Sequence, residues 1–138
     1  MVSRALKAQI VTDLRNTHRH LDYSYRKVLG LSLERDLGEE ELESLESFSS
    51  RFARYSDMIV ARYFRALMLD RDPAFRGSVI DLLNSAEKLG WIDSANTWRR
   101  IRELRNVAAH QYTDDDFLAL YRELRDLASV LLAVSLEL

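Results

Sequence analysis

The chain has 138 residues, about the length of one domain, and 47% of them are hydrophobic, which excludes a disordered chain. It has no cysteine, which excludes disulfides and thiolate metal sites, and its four glycines and one proline are too few for an all-β protein. The net charge of −2 does not indicate nucleic-acid binding, although 17 of the 20 basic residues are arginine, whose planar guanidinium suits phosphate. A GC-rich genome is an alternative explanation of that arginine bias.

Apolar residues recur at helical spacing from the start of the chain and predict two long helices. The first covers residues 3–29 and ends before Gly30. The second covers residues 39–69 and ends before the break at Pro73, with residues 31–38 as the connecting loop. The apolar faces are formed by Leu6, Ile10, Leu14, Leu21, Tyr25 and Val28, and by Leu42, Leu45, Phe52, Ile59, Tyr63 and Leu67.

A short third helix is predicted over residues 78–89, with Gly90 as a left-handed cap and Trp91 folded back against it. The fourth helix begins near residues 93–94, where good N-cap side chains stand, and ends around residues 110–112.

The last helix is predicted to begin at a capping box formed by Thr113 and Asp116. Its end, from Leu127 onward, is apolar on nearly every side. We expect such a segment to form a subunit interface, with docking into its own bundle as the alternative.

Short connections between long amphipathic helices predict an all-α fold. The expected architecture is an antiparallel up-and-down helical bundle of four long helices plus one short helix, forming a single domain over residues 1–138. The sequence has no apolar run of the ~20 residues that a membrane span needs, and no signal-peptide core. We therefore expect a cytoplasmic protein with no membrane partner.

The densest polar cluster lies at the end of the fourth predicted helix. At about 100° per residue, Arg105 falls at the edge of the apolar arc and His110 falls opposite it. A charge at that edge needs a partner or a cleft, unless the long side chain simply reaches solvent. Histidine exchanges protons near neutral pH and arginine stabilises charge on phosphate oxygens, so the pair favours phosphodiester chemistry. Arg102, in the same cluster, is a candidate RNA contact.

Cleavage of RNA by its own 2′-OH needs a proton acceptor and a proton donor, and one copy of this helix supplies one histidine. A homodimer formed through the polar face of the helix would bring two copies of Arg105 and His110 together across a two-fold axis. The sequence has no metal-ligand motif such as HExxH, so we expect a reaction without metal or other cofactor.

A similar arginine, asparagine and histidine spacing occurs at Arg15, Asn16 and His20. It lies in the middle of the first predicted helix, and we interpret it as a solvated helix face.

A second candidate surface is a row of arginines on the second helix, interpreted as an RNA-tracking face or as a solvated face paired with nearby acids. Tyr55 is expected among these arginines, opposite the apolar face, as a stacking surface for a base. The arginines are Arg51, Arg54, Arg62 and Arg65.

The segment Arg105-Asn106-Val107-Ala108-Ala109-His110-Gln111-Tyr112 resembles the R-x4-H-x-Y signature in the toxin branch of the HEPN superfamily. The upstream Leu89-Gly90-Trp91-Ile92 and Trp98 are similar to the related nucleotidyltransferase substrate-binding proteins. The resemblance covers about residues 40–125 in helix order.

The resemblance implies a helical bundle that dimerises around the motif and cleaves RNA without a metal. It implies that Arg105 and His110 are catalytic, with Asn106 as a polar helper. It also implies a partner, a cognate minimal nucleotidyltransferase antitoxin that transfers AMP to Tyr112.

Two functions are therefore expected from the sequence. The first is a metal-independent endoribonuclease toxin of a HEPN/MNT toxin–antitoxin pair, which acts as a homodimer and leaves a cyclic phosphate. The alternative is a non-catalytic nucleotide- or partner-binding module, the substrate-binding subunit of a minimal nucleotidyltransferase. The Arg105/His110 pair favours the first, and the sequence pI of about 5.9 favours the second.

Overall fold

A computed structural model describes residues 2–34, 36–108 and 114–136 of the chain, and these residues form helices joined by short connections. The architecture confirms the predicted all-α bundle. Its elements, in chain order, are α1 (Arg4–Leu29), α2 (Glu39–Met58), a π-helical segment (Ile59–Phe64), α3 (Arg65–Arg71), α4 (Val79–Lys88), α5 (Ala95–Ala108) and α6 (Asp114–Leu132).

Local capping interactions fix the helix ends where the sequence predicts them. The Ser3 hydroxyl accepts a hydrogen bond from the backbone N–H of Leu6 and begins α1. Gly90, at a φ of 78°, ends α4, and the backbone N–H of Trp91 donates to the carbonyl of Ala86 at 2.9 Å. This is the predicted left-handed cap, and it turns the Trp91 ring back onto Phe64 at a centroid distance of 5.8 Å.

Contacts between α1 and the second helical segment show that the two run antiparallel. Arg51 donates to the Ser24 hydroxyl at 2.8 Å, while Arg62, further along the chain, pairs with Asp13 at 3.1 Å. As the residue number increases along the second segment, the number of the contacted residue on α1 decreases, so the two helices run in opposite directions. In the same way, α5 runs antiparallel to α2, and α6 runs antiparallel to α5. Consecutive long helices therefore alternate in direction, as predicted.

The second predicted helix spans three elements, because a π-helical segment interrupts it between Met58 and Arg65. A π-helix has i→i+5 hydrogen bonds and therefore more residues per turn than an α-helix. Two pairs of chain neighbours consequently point inward together. These are Ile59 with Val60, and Tyr63 with Phe64, all of them buried. The helix length is as predicted, whereas the interruption is not.

The apolar end of the chain packs against its own bundle, which was the alternative to a subunit interface. Leu131 is fully buried, and Val134 and Leu136 pack against the core after α6 has ended. The Tyr63 hydroxyl donates to the carbonyl of Ser135 at 3.1 Å and holds this segment down. The core otherwise follows the predicted apolar faces, except that Leu6 is 49% exposed.

Candidate active site at the end of α5

The end of α5 is positioned by its N-cap and by its buried face. The Ser94 hydroxyl accepts from the backbone N–H of Thr97 at 3.2 Å, which begins the helix where the sequence predicts it. Trp98, Ile101 and Leu104 are buried at three-residue intervals and orient the helix against the core.

Arg105 is held by Asp57, which lies near the end of α2. Its Nε donates to both carboxylate oxygens at 3.1 Å, and its Nη2 donates to Oδ2 at 2.9 Å. Hydrogen bonding to Asp57 and then the charge of Asp57 raise the pKa of Arg105. The side chains of Arg105 and Asp57 are 36% and 41% exposed, so the pair lies at the surface rather than in the core.

The two-pronged pairing fixes the plane of the guanidinium and leaves one of its nitrogens, Nη1, outside the contact with Asp57. Asp57 takes Nε and Nη2, whereas the contact of Nη1 is with the side-chain oxygen of Asn106 at 3.5 Å. Arg102, Asn106 and Val107 are exposed beside it on the same helix. A guanidinium oriented in this way can bind a phosphate oxygen through the nitrogen that does not contact the carboxylate.

The other half of the predicted motif lies outside the described residues. His110 and Tyr112 belong to residues 109–113, as does Thr113 of the predicted capping box. The structure therefore describes Arg105, Asn106 and their neighbours, and the roles of His110 and Tyr112 stay predictions.

The sequence predicts a partner or a cleft for Arg105, or a side chain that reaches solvent, and does not identify Asp57 as the partner. The two residues are separated by 48 positions in the chain. Nothing in the local pattern around Asp57 distinguishes it from other surface acids, so only the packing of α5 on α2 identifies it.

The prediction that Tyr55 forms an outward stacking surface is wrong. Its side chain is fully buried, and its ring lies edge-on to the ring of His18 at 5.5 Å. Burial, and secondarily Tyr63, raises the pKa of the Tyr55 phenol. The sequence held the signal for this, because Tyr55 follows Phe52 by three residues and such residues share a helix face.

Most of the predicted arginine row faces other helices or neighbouring loops. Arg51 bonds to α1 through the His20 carbonyl and the Ser24 hydroxyl, and Arg62 pairs with Asp13. The Arg65 guanidinium lies 6.0 Å from the centroid of the Phe75 ring. Arg54 is the exposed member. The row is therefore largely a set of packing contacts, and the alternative interpretation, a solvated face paired with nearby acids, describes Arg62 with Asp13 but not Arg51 or Arg65.

The similar motif in α1 has an exposed Arg15, Asn16 and His20, in line with the predicted solvated face. His18, between them, is half-buried, and its Nε2 lies 3.0 Å from the carbonyl of Leu132.

No group of three or more His, Cys, Asp or Glu side chains in the described part of the chain could hold a metal ion. None of the helices formed by the described residues is both long and apolar enough to span a membrane.

Comparison with known proteins adds no relative. No protein-family model, curated protein or solved structure matches the chain. Any functional conclusion therefore depends on the site itself and on the resemblance of its motif.

Proposed function

We propose that the chain is a metal-independent endoribonuclease that acts as the toxin of a HEPN/MNT toxin–antitoxin pair. The observation that supports this most is the Arg105 guanidinium, which Asp57 fixes through Nε and Nη2, so that Nη1 contacts Asn106 and not the carboxylate. A fixed cation at the surface can stabilise the charge that builds on phosphorus during cleavage without reorganising first.

In the proposed reaction, the 2′-oxygen of the RNA attacks the adjacent phosphorus and the bond from phosphorus to the 5′-oxygen breaks. The proton of the 2′-OH passes to one His110, and the leaving 5′-oxygen receives a proton from His110 of the second protomer. Arg105 holds a nonbridging phosphate oxygen. The products are a 2′,3′-cyclic phosphate and a 5′-hydroxyl. Asp57 is a positioning residue, because it touches Arg105 and not the RNA.

The proposed homodimer joins two copies of the exposed face of α5. Val107 is 43% exposed on that face, next to Asn106, so an apolar side chain lies beside the polar helper. We propose that the partner of the assembled toxin is a small nucleotidyltransferase, which inactivates it by transferring AMP to Tyr112.

The test is cleavage of an unstructured RNA by the purified chain in the presence of EDTA. We expect His110→Ala to lower the rate by about 10²–10⁴-fold. We expect Arg105→Ala to lower the rate by about 10²–10³-fold. Asp57→Asn removes the charge that holds Arg105 and is expected to lower kcat by less than Arg105→Ala, with little change in KM.

The control is His20→Ala, which removes the exposed histidine of the similar motif in α1 and is expected to cleave at the wild-type rate. Wild-type cleavage by His110→Ala, or loss of cleavage in EDTA, would show that the chemistry does not belong to this motif.

The second candidate function is a nucleotide-binding module. The observation that favours it is a cavity of about 430 Å³ between the start of α5 and the end of α6. Trp91, Thr97 and Val130 line it, which offers an indole and a hydroxyl to a nucleoside. Saturable quenching of tryptophan fluorescence by AMP, lost in Trp91→Leu, in a chain that does not cleave RNA would support this module.

A further inference from the structure

The solvent side of α1 carries a row of arginines that no function discussed so far uses. Arg15, Arg19 and Arg26 fall within an arc of about 40° on this helix, and Tyr23 lies about 40° further round. All four side chains are exposed, and Tyr23 is the most exposed large hydrophobic residue at 65%. We call these four residues the α1 basic face.

The charge of this face is poorly balanced by carboxylates. Arg26 pairs with Asp22 at 3.1 Å, which is an exposed ion pair within the same helix. Among the residues that the structure describes, no carboxylate pairs with Arg15 or Arg19. The two guanidiniums are one helical turn apart, about 6 Å along the axis, so neighbouring phosphates of one strand can reach both.

A groove between α1 and the start of α2 opens beside the ring of Tyr23. Its volume is about 260 Å³, and its walls include Lys27, Glu40, Glu43 and Ser44. The two carboxylates can accept hydrogen bonds from the N–H groups on the edge of a base, and Lys27 and Arg51, which also line the groove, balance their charge.

We propose that the α1 basic face binds single-stranded RNA, with phosphates along Arg15 and Arg19 and one base stacked on Tyr23 with its edge in the groove. Stacking on an exposed aromatic ring together with backbone contacts to arginine is how proteins bind single strands. The choice of RNA as ligand rests on the proposed function.

The face is separate from the candidate active site. Arg105 faces Asp57 on α2, and α5 packs against α2, α4 and α6, whereas the basic face points outward from α1. A strand bound on α1 is thus held by contacts other than those of Arg105. Binding and cleavage can consequently be measured independently.

The experiment is fluorescence anisotropy with a labelled, unstructured 2′-O-methyl oligonucleotide, which has no free 2′-OH and cannot be cleaved by this mechanism. We expect the Arg15→Gln/Arg19→Gln double variant to bind more weakly. Its slope of log K against log salt should be smaller by about 1.4, since each lost phosphate contact contributes about 0.7 on a single strand. We expect Tyr23→Ala to weaken binding by about 5- to 100-fold at an unchanged salt slope, and Tyr23→Phe to restore it.

The matched control is the Arg71→Gln/Arg76→Gln double variant, which makes the same change in net charge at two exposed arginines outside α1. It should bind as the wild type does. Equal weakening by both double variants, no weakening by Arg15→Gln/Arg19→Gln, or displacement of the probe by an acidic peptide as readily as by unlabelled RNA would overturn the proposal.

The outcomes also separate this proposal from the proposed function. Normal cleavage together with unchanged binding by the α1 variants contradicts the docking face alone. Binding with the expected salt slopes in a chain that cleaves no RNA contradicts the nuclease and leaves the docking face supported.

Discussion

Tyr55 has a buried hydroxyl that forms no hydrogen bond with the described part of the chain. Its ring is needed in the core, where it packs between helices beside His18. The hydroxyl has therefore lost its hydrogen bonds to water without a protein partner in return, and such a loss costs about 1–3 kcal/mol.

We predict that Tyr55→Phe raises the free energy of unfolding by about 1 kcal/mol, because it removes the unpaired hydroxyl and keeps the ring. Urea denaturation measures this. Tyr63→Phe is the matched control and should lower the same free energy, since the Tyr63 hydroxyl donates to the carbonyl of Ser135. A loss of stability in Tyr55→Phe would mean that an internal water or another group satisfies the hydroxyl.

The sequence predicts the environment of some residues of the candidate site and not of others. Arg105 could be singled out because a permanent charge at the edge of an apolar arc needs a partner, and the structure supplies one. Asp57 could not be identified from the sequence, because its role depends on the packing of α5 against α2. Tyr55 could have been assigned to the core from its spacing to Phe52, and its polar hydroxyl gave no reason to place it outside.

At the scale of the elements, the best-defined boundary is the end of α4. Gly90 lies in the left-handed region at a φ of 78°, and an added Cβ would meet nothing within 4 Å. Glycine is therefore required at this position because of its positive φ and not because a side chain would clash with its surroundings. The cap directs Trp91 onto Phe64, which joins α4 to the π-helical segment.

We predict that Gly90→Ala lowers the free energy of unfolding by about 1–2 kcal/mol, because an L-residue is strained in the left-handed region. Gly30→Ala is the control with the opposite sign. Gly30 has a φ of −80°, so alanine fits there and is expected to stabilise by about 0.4–1 kcal/mol through the unfolded chain. Urea denaturation of both variants checks the pair, and equal effects would contradict the backbone argument.

The contact between α5 and α6 includes an ion pair with a defined pH dependence. Arg100 donates to the two oxygens of Glu123 at 2.5 and 2.7 Å. Hydrogen bonding to Arg100 lowers the pKa of Glu123 below its usual value, against a smaller opposing effect of burial. The folded state thus favours the ionised carboxylate.

We predict that this pair stabilises the protein above the unfolded pKa of glutamate, about 4.3, and that the contribution is lost as the pH falls through the lower folded pKa. Glu123→Gln should lower the free energy of unfolding at neutral pH by at most about 1 kcal/mol, since both side chains are partly exposed. In strong acid, the variant and the wild type should unfold alike. Asp126→Asn on the same helix is the control, with no expected change at either pH.

The helix pattern was readable from the sequence because apolar spacing and caps act locally. Ser3 fixes the start of α1, Gly90 the end of α4 and Ser94 the start of α5, and each interacts with residues a few positions away. The π-helical segment was not readable, since its neighbouring inward pairs fit an ordinary buried helix face equally well. For the end of the chain the sequence favoured a subunit interface, whereas the segment packs on its own bundle, because hydrophobicity predicts that a segment is covered and not what covers it.

At the scale of the whole molecule, the described residues cover their apolar surfaces well and leave few large hydrophobic side chains exposed. Leu6, Tyr23, Leu29, Ile80 and Val107 are the ones that remain. The proposed dimer therefore cannot depend on the apolar end of the chain, which packs on its own core. It depends on the exposed face of α5.

We predict that the chain is a dimer in solution and that Val107→Glu converts it to a monomer with a mass near 16.1 kDa by light scattering. A charged side chain at the centre of an interface must be desolvated without a partner, which destabilises association. Leu6→Glu alters a similarly exposed apolar residue on α1 and should leave the mass unchanged. A wild-type mass near 16.1 kDa at micromolar concentration would exclude the shared site.

The π-helical segment has a rotational consequence for both ends of its helix. One extra residue in a turn displaces everything beyond it by about 100° relative to an uninterrupted α-helix. Asp57, just before the segment, points toward Arg105. Within the segment, Tyr63 points toward the end of the chain and Phe64 toward the Trp91 ring. A deletion that restored regular α-helix would break one of these two alignments. The π-helical turn therefore allows one continuous helix to direct the side chains before it and within it toward two different partners.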